Sequence, residues 1–434
     1  MKISILSVFP DLYDSFLKTS LLKRAQDTGL VSIAADSFFS YVEPKERIDA
    51  PTFGHGAGML IKPEVVERGI QANEQKYGKA FKIFFSPHGK KLDQDYLVHL
   101  VGEAQEVGHM MLVPARYEGM DARVEAEYAD AIVSVGDFVL MGGDVPAMIL
   151  LEGLLRLIPG VVGKQESIEK ESFTGPFVDY PEYTEPVVWH DKEVPEVVRS
   201  GNHAAMDNWR MEQAARRTLA NHFDWLRSFP LNVEQKKLVR QVLPSHYVAL
   251  CHSDVLVGQE KQPGTTSVTS IDIHDIARSS RTYGVKNFFI VTPLLDQQRI
   301  VQTLLDFWHT ESGITYNKSR HEALKPVELK DTIQQVVAAI EQLEGKKPLV
   351  VATSARAVGH VRQISFHDQG VLWQQERPIL FVFGTGKGFS EEFLQGCDYL
   401  LLPVGGFSDF NHLSVRSAVA IILDRWMGIV SKKA

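Results

Sequence analysis

Five short apolar runs mark the first 160 residues: KISILSVF, GLVSIAADSF, FKIFFSP, HMMLVPARY and AIVSVGDFVL. Their length and their β-branched and aromatic content predict strands, and the segments between them have helical periodicity. Alternation of this kind predicts α/β layering around a mostly parallel sheet. From Val161 to Glu185 the pattern breaks into VVGKQESIEKESFTGPFVDYPEYTE, a polar, turn-rich stretch that reads as a linker or a functional loop. EVPEVVRSGNHAAMDNWRMEQAARRTLANHFDWL and NVEQKKLVRQVL then predict helices up to about Leu243. After Pro244 the alternation restarts with YVALCHSDVLV, NFFIVTP, PLVVATSA, PILFVFGTG and YLLLPVGG. The expected organisation is an α/β domain over residues 1–161, an interdomain loop and helical domain over 162–243, and a second α/β domain over 244–434.

The two α/β halves end alike. SVGDFVLMGGDVPAMILLEGLLRLIPG and DYLLLPVGGFSDFNHLSVRSAVAIILDRWMG both run from an apolar strand through a glycine-bearing loop into a long apolar helix. Each half carries further strand-end loops upstream, FFSPHG and VPARYEGMD in the first, VATSAR and FVFGTGKGF in the second. Repetition of one plan suggests that both halves bind the same kind of ligand. The glycine loop is not GxGxxG, and no Gly-Lys-Ser/Thr follows it, so a phosphate cradle is poorly supported. Three such loops can converge at the carboxyl edge of a parallel sheet, where open α/β folds bind ligands. Glycines there admit close approach of the main chain, which would suit adenine and a methionine moiety; the alternative is that they only make tight turns.

Composition narrows the class. At 434 residues the chain exceeds one ordinary core, and its two cysteines, Cys251 and Cys397, provide neither a disulfide framework nor a metal cluster. The opening MKISILSVFPDLYDS is broken by Pro10 and Asp11, unlike a signal peptide, and no apolar run has the length of a membrane helix. The net charge of −8 argues against indiscriminate nucleic-acid binding, although Ala205 to Leu243 holds seven Lys/Arg against four Asp/Glu.

The runs ILSVFPDLYDS, KRAQDTGLV, GAGMLIKPE, FFSPHGKKL, RYEGMDARV, SVGDFVLMGGD, RLIPGVVG and SGNHAAMDNWR occur in this order. Through them residues 1 to about 243 resemble the bacterial tRNA (guanine-N1)-methyltransferase family, TrmD. Residues 246–434 resemble a SPOUT-class RNA methyltransferase domain through TTSVTSIDIHDIARSSRTYGVKNFFIVTP and FNHLSVRSAVAIILDR. The resemblance implies a trefoil knot in each α/β half, S-adenosylmethionine as cofactor with magnesium as a companion, tRNA as partner, a homodimer and a cytoplasmic setting. It implies methylation of guanosine N1 at position 37 of tRNA, with the RNA target of the second SPOUT domain unknown. The cofactor residues it implies in the first half are Phe85, Ser86, Pro87, Ala115, Tyr117, Glu118, Gly119, Val135, Gly136, Asp137, Phe138, Val139, Leu140, Gly142 and Gly143. In the second half they are Thr353, Gly384, Gly386, Leu402 and Leu413, and substrate contacts are implied for Asp49, Ser172, Asn202 and His203.

Methylating N1 of guanine requires a base for the N1 proton and a donor or cation for charge developing on O6. By resemblance these fall on Glu171 and Arg156. Read from spacing alone, Arg156 is a surface partner for Glu152 one turn earlier, on a helix capped by Asp144. Glu171 replaces the family's aspartate, and His88, Ala115, Asp144 and Glu185 also depart from it. If Glu171 is not the base, Glu169 in the same loop is the next candidate. Two functions therefore fit: an active tRNA methyltransferase, or a tRNA-binding fusion whose first site has decayed, the second domain being the active enzyme or a dimerisation scaffold. His252, His274, His412 and Asp409 match no metal-ligand spacing. His274 and Asp275 read as structural hydrogen-bond residues, and Asn411 and Arg416 as ligand contacts of the second half.

Overall fold

The computed structural model describes residues 1–163, 171–356 and 361–430, which form two compact units, Met1–Thr174 and Gly175–Ala434. Glu169 lies outside the described residues. The first unit is built on five parallel strands: β1 (Lys2–Ser7), β2 (Ser32–Ser37), β3 (Phe81–Lys91), β4 (His109–Val113) and β5 (Ala131–Ser134), in the order β2-β1-β4-β3-β5. The central strands β1 and β4 are buried on both faces, as expected where helices cover a parallel sheet, whereas the edge strand β2 is not. The helices used below are α1 (Leu12–Leu17), α2 (Gln94–Val107), α3 (Ala122–Tyr128) and α4 (Asp144–Leu157). On α4 the residues Ala147, Leu150, Leu151, Leu154 and Leu155 are buried, the spacing of one apolar helix face. Gly153 lets that face approach α2, because a Cβ there would lie 2.8 Å from Leu97.

The second unit begins with the segment from Gly175 and the helices α5 (His203–Asn221), α6 (Phe223–Ser228) and α7 (Val233–Val242). Its main sheet has seven strands: β6 (His246–Cys251), β7 (Asn287–Val291), β8 (Val327–Lys330), β9 (Leu349–Thr353), β10 (Gln363–Ile364), β11 (Ile379–Gly384) and β12 (Tyr399–Leu401). They run in the order β8-β7-β6-β11-β9-β12-β10, all paired in parallel. Without the added edge strands β8 and β10, this is the first sheet's order again: the second strand, the first, then the fourth, third and fifth. Helices α8 (Ser270–Tyr283) and α9 (Val415–Met427) pack against one another beside this sheet.

Several expectations are corrected. AIVSVGDFVL is a strand only to Ser134; beyond it the chain turns through Gly136, which has positive φ. The long helical run from Glu193 is divided into Glu196–Arg199, α5 and α6, because Gly201 takes a left-handed φ and Asn202 caps α5 through the Ala205 amide. Part of the predicted polar loop is ordered against these helices: Trp225 donates to the Gly175 carbonyl, and the Val178 amide to Thr218 Oγ1. The helices are in turn fixed to the α/β part, where Arg227 donates to the carbonyls of Asp424 and Arg425 at the end of α9. VELK at β8 was not anticipated, being too short and polar to announce a strand.

A buried histidine marks this junction. His246 Nε2 accepts from the indoles of Trp373 at 3.2 Å and Trp426 at 3.1 Å, while Nδ1 lies 2.7 Å from the Pro244 carbonyl. The two indole donors demand an unprotonated Nε2, so Nδ1 carries the proton. Burial holds the His246 pKa down to about 4. The unfolded chain takes up this proton near pH 6.5, so stability is complete above that value and declines as pH falls towards 4, by about 3 kcal/mol in all. Urea unfolding of the second unit should therefore weaken between pH 7 and 5, with a smaller slope in His246→Gln; equal slopes in the two proteins would contradict the assignment.

Candidate functional site

The carboxyl edge of the first sheet carries a cavity of about 430 Å³ walled by three loops. The first loop is an excursion inside β3. Phe85 pairs with Val133, the register then shifts, and Lys90 pairs with Val133 again, so Ser86 to Gly89 stand out from the sheet. The return requires glycine, because a Cβ on Gly89 would sit 2.7 Å from the Ile132 carbonyl group. The second loop follows β4 and is clamped by a hairpin of Asp49–Pro51 and Met59–Ile61, the Ile61 amide donating to the Gly119 carbonyl at 3.1 Å and the Glu118 amide to Met59 at 3.1 Å. The third runs from Val135 to Gly143. Its end lies on the second loop: the Gly143 amide donates to the Ala115 carbonyl at 2.7 Å, and a Gly143 Cβ would stand 2.9 Å from the main chain of Pro114 and Ala115.

One carboxylate ties this arrangement down. Asp144 is fully buried; Oδ1 accepts from Ser7 Oγ at 2.6 Å and Tyr13 OH at 3.0 Å, and Oδ2 from Arg116 Nε at 2.6 Å. It thereby joins the end of β1, α1, the second loop and the start of α4. Burial and the Asp144 charge push the Tyr13 phenol well above its ordinary range, so it stays a donor. The expectation that Asp144 caps α4 is corrected: Gly143 is the N-cap, and Asp144, inside the first turn, makes no capping bond.

The cavity gathers Phe85, Ser86, Pro87, Ala115, Tyr117, Glu118, Gly119, Val135, Gly136, Phe138, Val139, Leu140, Gly142 and Gly143. Asp137 does not line it and instead pairs with Lys91 at 2.6 Å. His88, Arg116 and Glu125 also line it, and none of them was singled out as a cofactor contact from the sequence. Among the described residues, Phe138, Val139 and Leu140 make no main-chain hydrogen bond outside the loop, which leaves their amides and carbonyls for a ligand. Apolar walls, free peptide groups and two carboxylates suit a molecule with a flat heterocycle and a cationic tail.

Arg156 does not pair with Glu152, as spacing suggested; it is ion-paired with Glu171. Neither lines the cavity, and Arg156 is twelve residues along α4 from Asp144, about 18 Å at the helical rise. Asp49 is buried and held by Arg47 through two bonds of 3.1 and 3.2 Å. Ser172 adjoins Glu171, whereas Asn202 and His203 start α5 in the second unit.

In the second unit, Thr353 and Gly384 end neighbouring strands and Leu402 follows β12, so these residues share a sheet edge. Gly386 lies beneath a hairpin, where a Cβ would be 2.9 Å from the Leu256 carbonyl; Leu413 is partly exposed just before α9. Asn411 donates to the Ala355 carbonyl at 3.1 Å, and Arg416 pairs with Asp272 at 3.2 Å and Asp275 at 3.7 Å. Of the pair His274 and Asp275, Asp275 faces Arg416, whereas the buried Nδ1 of His274 has no partner among the described residues and its ring meets Trp308 edge-on. Among the described residues no group of three His, Cys, Asp or Glu could hold a metal, and no helix is long and apolar enough to cross a membrane.

Comparison with known proteins now decides the family. The model of tRNA (guanine-1)-methyltransferase TrmD matches residues 1–228, and that of a SAM-dependent RNA methyltransferase matches residues 245–428. The chain belongs to the TrmD family. It is 38% identical over 99% of both chains to a Nitratidesulfovibrio vulgaris protein named tRNA (guanine-N(1)-)-methyltransferase, and 36% identical over the same share to one so named from Oleidesulfovibrio alaskensis. A protein of that name from Limosilactobacillus fermentum is 37% identical, covering 96% of its own length but 56% of this chain. The family is thus represented both with and without a region equivalent to the part of this chain that follows about residue 245.

Because Asp144 is buried against a largely buried guanidinium, Asp144→Asn should destabilise the first unit by about 3 kcal/mol, with part recovered by adding Arg116→Met. Urea unfolding of the single and double variants measures this; a loss below about 1 kcal/mol would remove Asp144 from its central place.

Proposed function

We infer that this chain methylates N1 of guanosine at position 37 of tRNA, using S-adenosylmethionine, and that residues 245–428 form a second RNA methyltransferase domain with an RNA target of its own still to be identified. The observation that carries this reading is the Arg156–Glu171 ion pair, which joins the two groups that the chemistry requires. Glu171 accepts the N1 proton, and Arg156 stabilises the negative charge that spreads to O6. When bound, the cofactor supplies a methyl group on a sulfonium and leaves as a neutral thioether. The N1 lone pair forms the new bond while the carbon–sulfur pair returns to sulfur. The peptide groups of Phe138, Val139 and Leu140 would hold the cofactor in the cavity, and the loop would keep water from its methyl group.

Separation of the ion pair from the cavity supports a homodimer in which each cavity is completed by Arg156 and Glu171 of the other subunit. An apolar surface suited to such a contact adjoins the cavity: Val139 and Met141 are 86% and 91% exposed, and Phe138, Val145 and Ile149 are exposed beside them. The helical region with its excess of cations is the proposed tRNA contact, together with Asp49, Ser172, Asn202 and His203. The repeated strand order supports a knotted SPOUT fold in each α/β region, with three domains divided near residues 161 and 243. The setting for such chemistry is the cytoplasm; a magnesium requirement rests on the resemblance alone.

Single-turnover transfer to unmodified tRNA at saturating cofactor, with nucleoside analysis, tests the assignment. Glu171→Asp should keep or raise the rate, Glu171→Gln should lower it at least about a hundredfold, and Arg156→Ala should lower it comparably without weakening cofactor binding. A Glu171→Gln enzyme as fast as the parent would remove Glu171 as the base; tRNA binding without transfer in all forms would favour the decayed-site reading.

A further inference from the structure

The wall of the first cavity carries a charge pattern that the methyl-transfer chemistry does not use. Five charged or titratable side chains line it: His88, Arg116, Tyr117, Glu118 and Glu125. Arg116 is already matched by Asp144, which leaves two carboxylates facing the space. Glu118 is exposed on its loop, whereas the Glu125 side chain is only 16% exposed and projects from α3. His88 links that carboxylate to the first loop: Nδ1 lies 2.6 Å from Ser86 Oγ, and Nε2 lies 3.4 Å from Glu125 Oε2. Ser86, His88 and Glu125 therefore form a chain of polar contacts along one side of the cavity. Burial raises the Glu125 carboxyl above its ordinary range, and His88 opposes that shift. A carboxylate short of water gains more from a nearby cation than a fully hydrated one does.

The cofactor and its product differ chiefly in charge at this point. S-adenosylmethionine carries a sulfonium; after transfer the sulfur is neutral, while the adenosine and amino-acid parts are unchanged. Peptide groups and apolar walls hold both molecules alike, so discrimination requires a charge. We propose that Glu125, positioned by His88, is the residue by which this cavity prefers the sulfonium cofactor over its neutral thioether product. The proposal rests on the reading of this cavity as the cofactor site. Loss of the attraction on methyl transfer then favours exchange of product for fresh cofactor. Ser86 and His88 act as positioning residues, fixing where the carboxylate points.

Calorimetric titration of the full-length protein with S-adenosylmethionine and with S-adenosylhomocysteine, without tRNA, separates this role from a structural one. Glu125→Gln should weaken binding of the sulfonium cofactor roughly tenfold and leave binding of the thioether within about twofold. His88→Ala should lose part of the same preference, and His88→Gln, which keeps an N–H donor towards Glu125, should restore it. Equal weakening of both ligands by Glu125→Gln would show that the carboxylate only supports the fold, and unchanged affinities would show that it plays no part; either result overturns the proposal. Failure of the parent protein to bind either ligand would instead overturn the reading of the cavity itself.

Discussion

The cavity of the first unit depends on one fully buried carboxylate. Asp144 receives Ser7, Tyr13 and Arg116 and so gathers four segments far apart in sequence. An unpaired carboxylate could not be buried at this depth, so the four segments must meet or the helix must move outward. With them fixed, Gly142 and Gly143 rest on Pro114–Arg116, and the three loops enclose a space instead of fraying at the sheet edge.

The second unit meets the same need with the charges exchanged. The first and last helices of its α/β part are joined by Asp272 on α8 and Arg416 on α9, with Thr269 also donating to Asp272. Both units also cover their glycine-bearing turn with a small hairpin, Asp49–Pro51 with Met59–Ile61 in one and Val255–Val257 with Gln262–Gly264 in the other. The shared strand order is thus accompanied by shared solutions built from different residues, which explains why the repeat is visible in architecture more than in side chains.

Much of the fold was legible because parallel strands buried on both faces leave continuous apolar runs, as in HMMLV and ILFVFG. The loops that wall the cavity were legible through their glycines. Long-range polar partnerships were not. Nothing local announces that Asp144 reaches back 137 residues to Ser7, so a residue at the start of a helix was read as its cap. Arg156 was read against Glu152 for the same reason, when its partner lies beyond the helix. His88 and Glu125 stand 37 residues apart in sequence, and only the excursion of β3 brings them together.

The central claim is that transfer needs the cofactor cavity of one subunit and the Arg156–Glu171 pair of another. Subunit mixing tests it most directly, using one variant with its cavity closed by Gly143→Val and one lacking the base through Glu171→Gln. Each alone should be inactive. After subunit exchange in equal amounts, the mixture should recover about a quarter of the parent's methyl transfer to tRNA, because half the dimers are mixed and each holds one intact site. Absence of any recovery, with exchange verified by differently tagged subunits, would contradict the shared site and return both halves of the chemistry to a single chain.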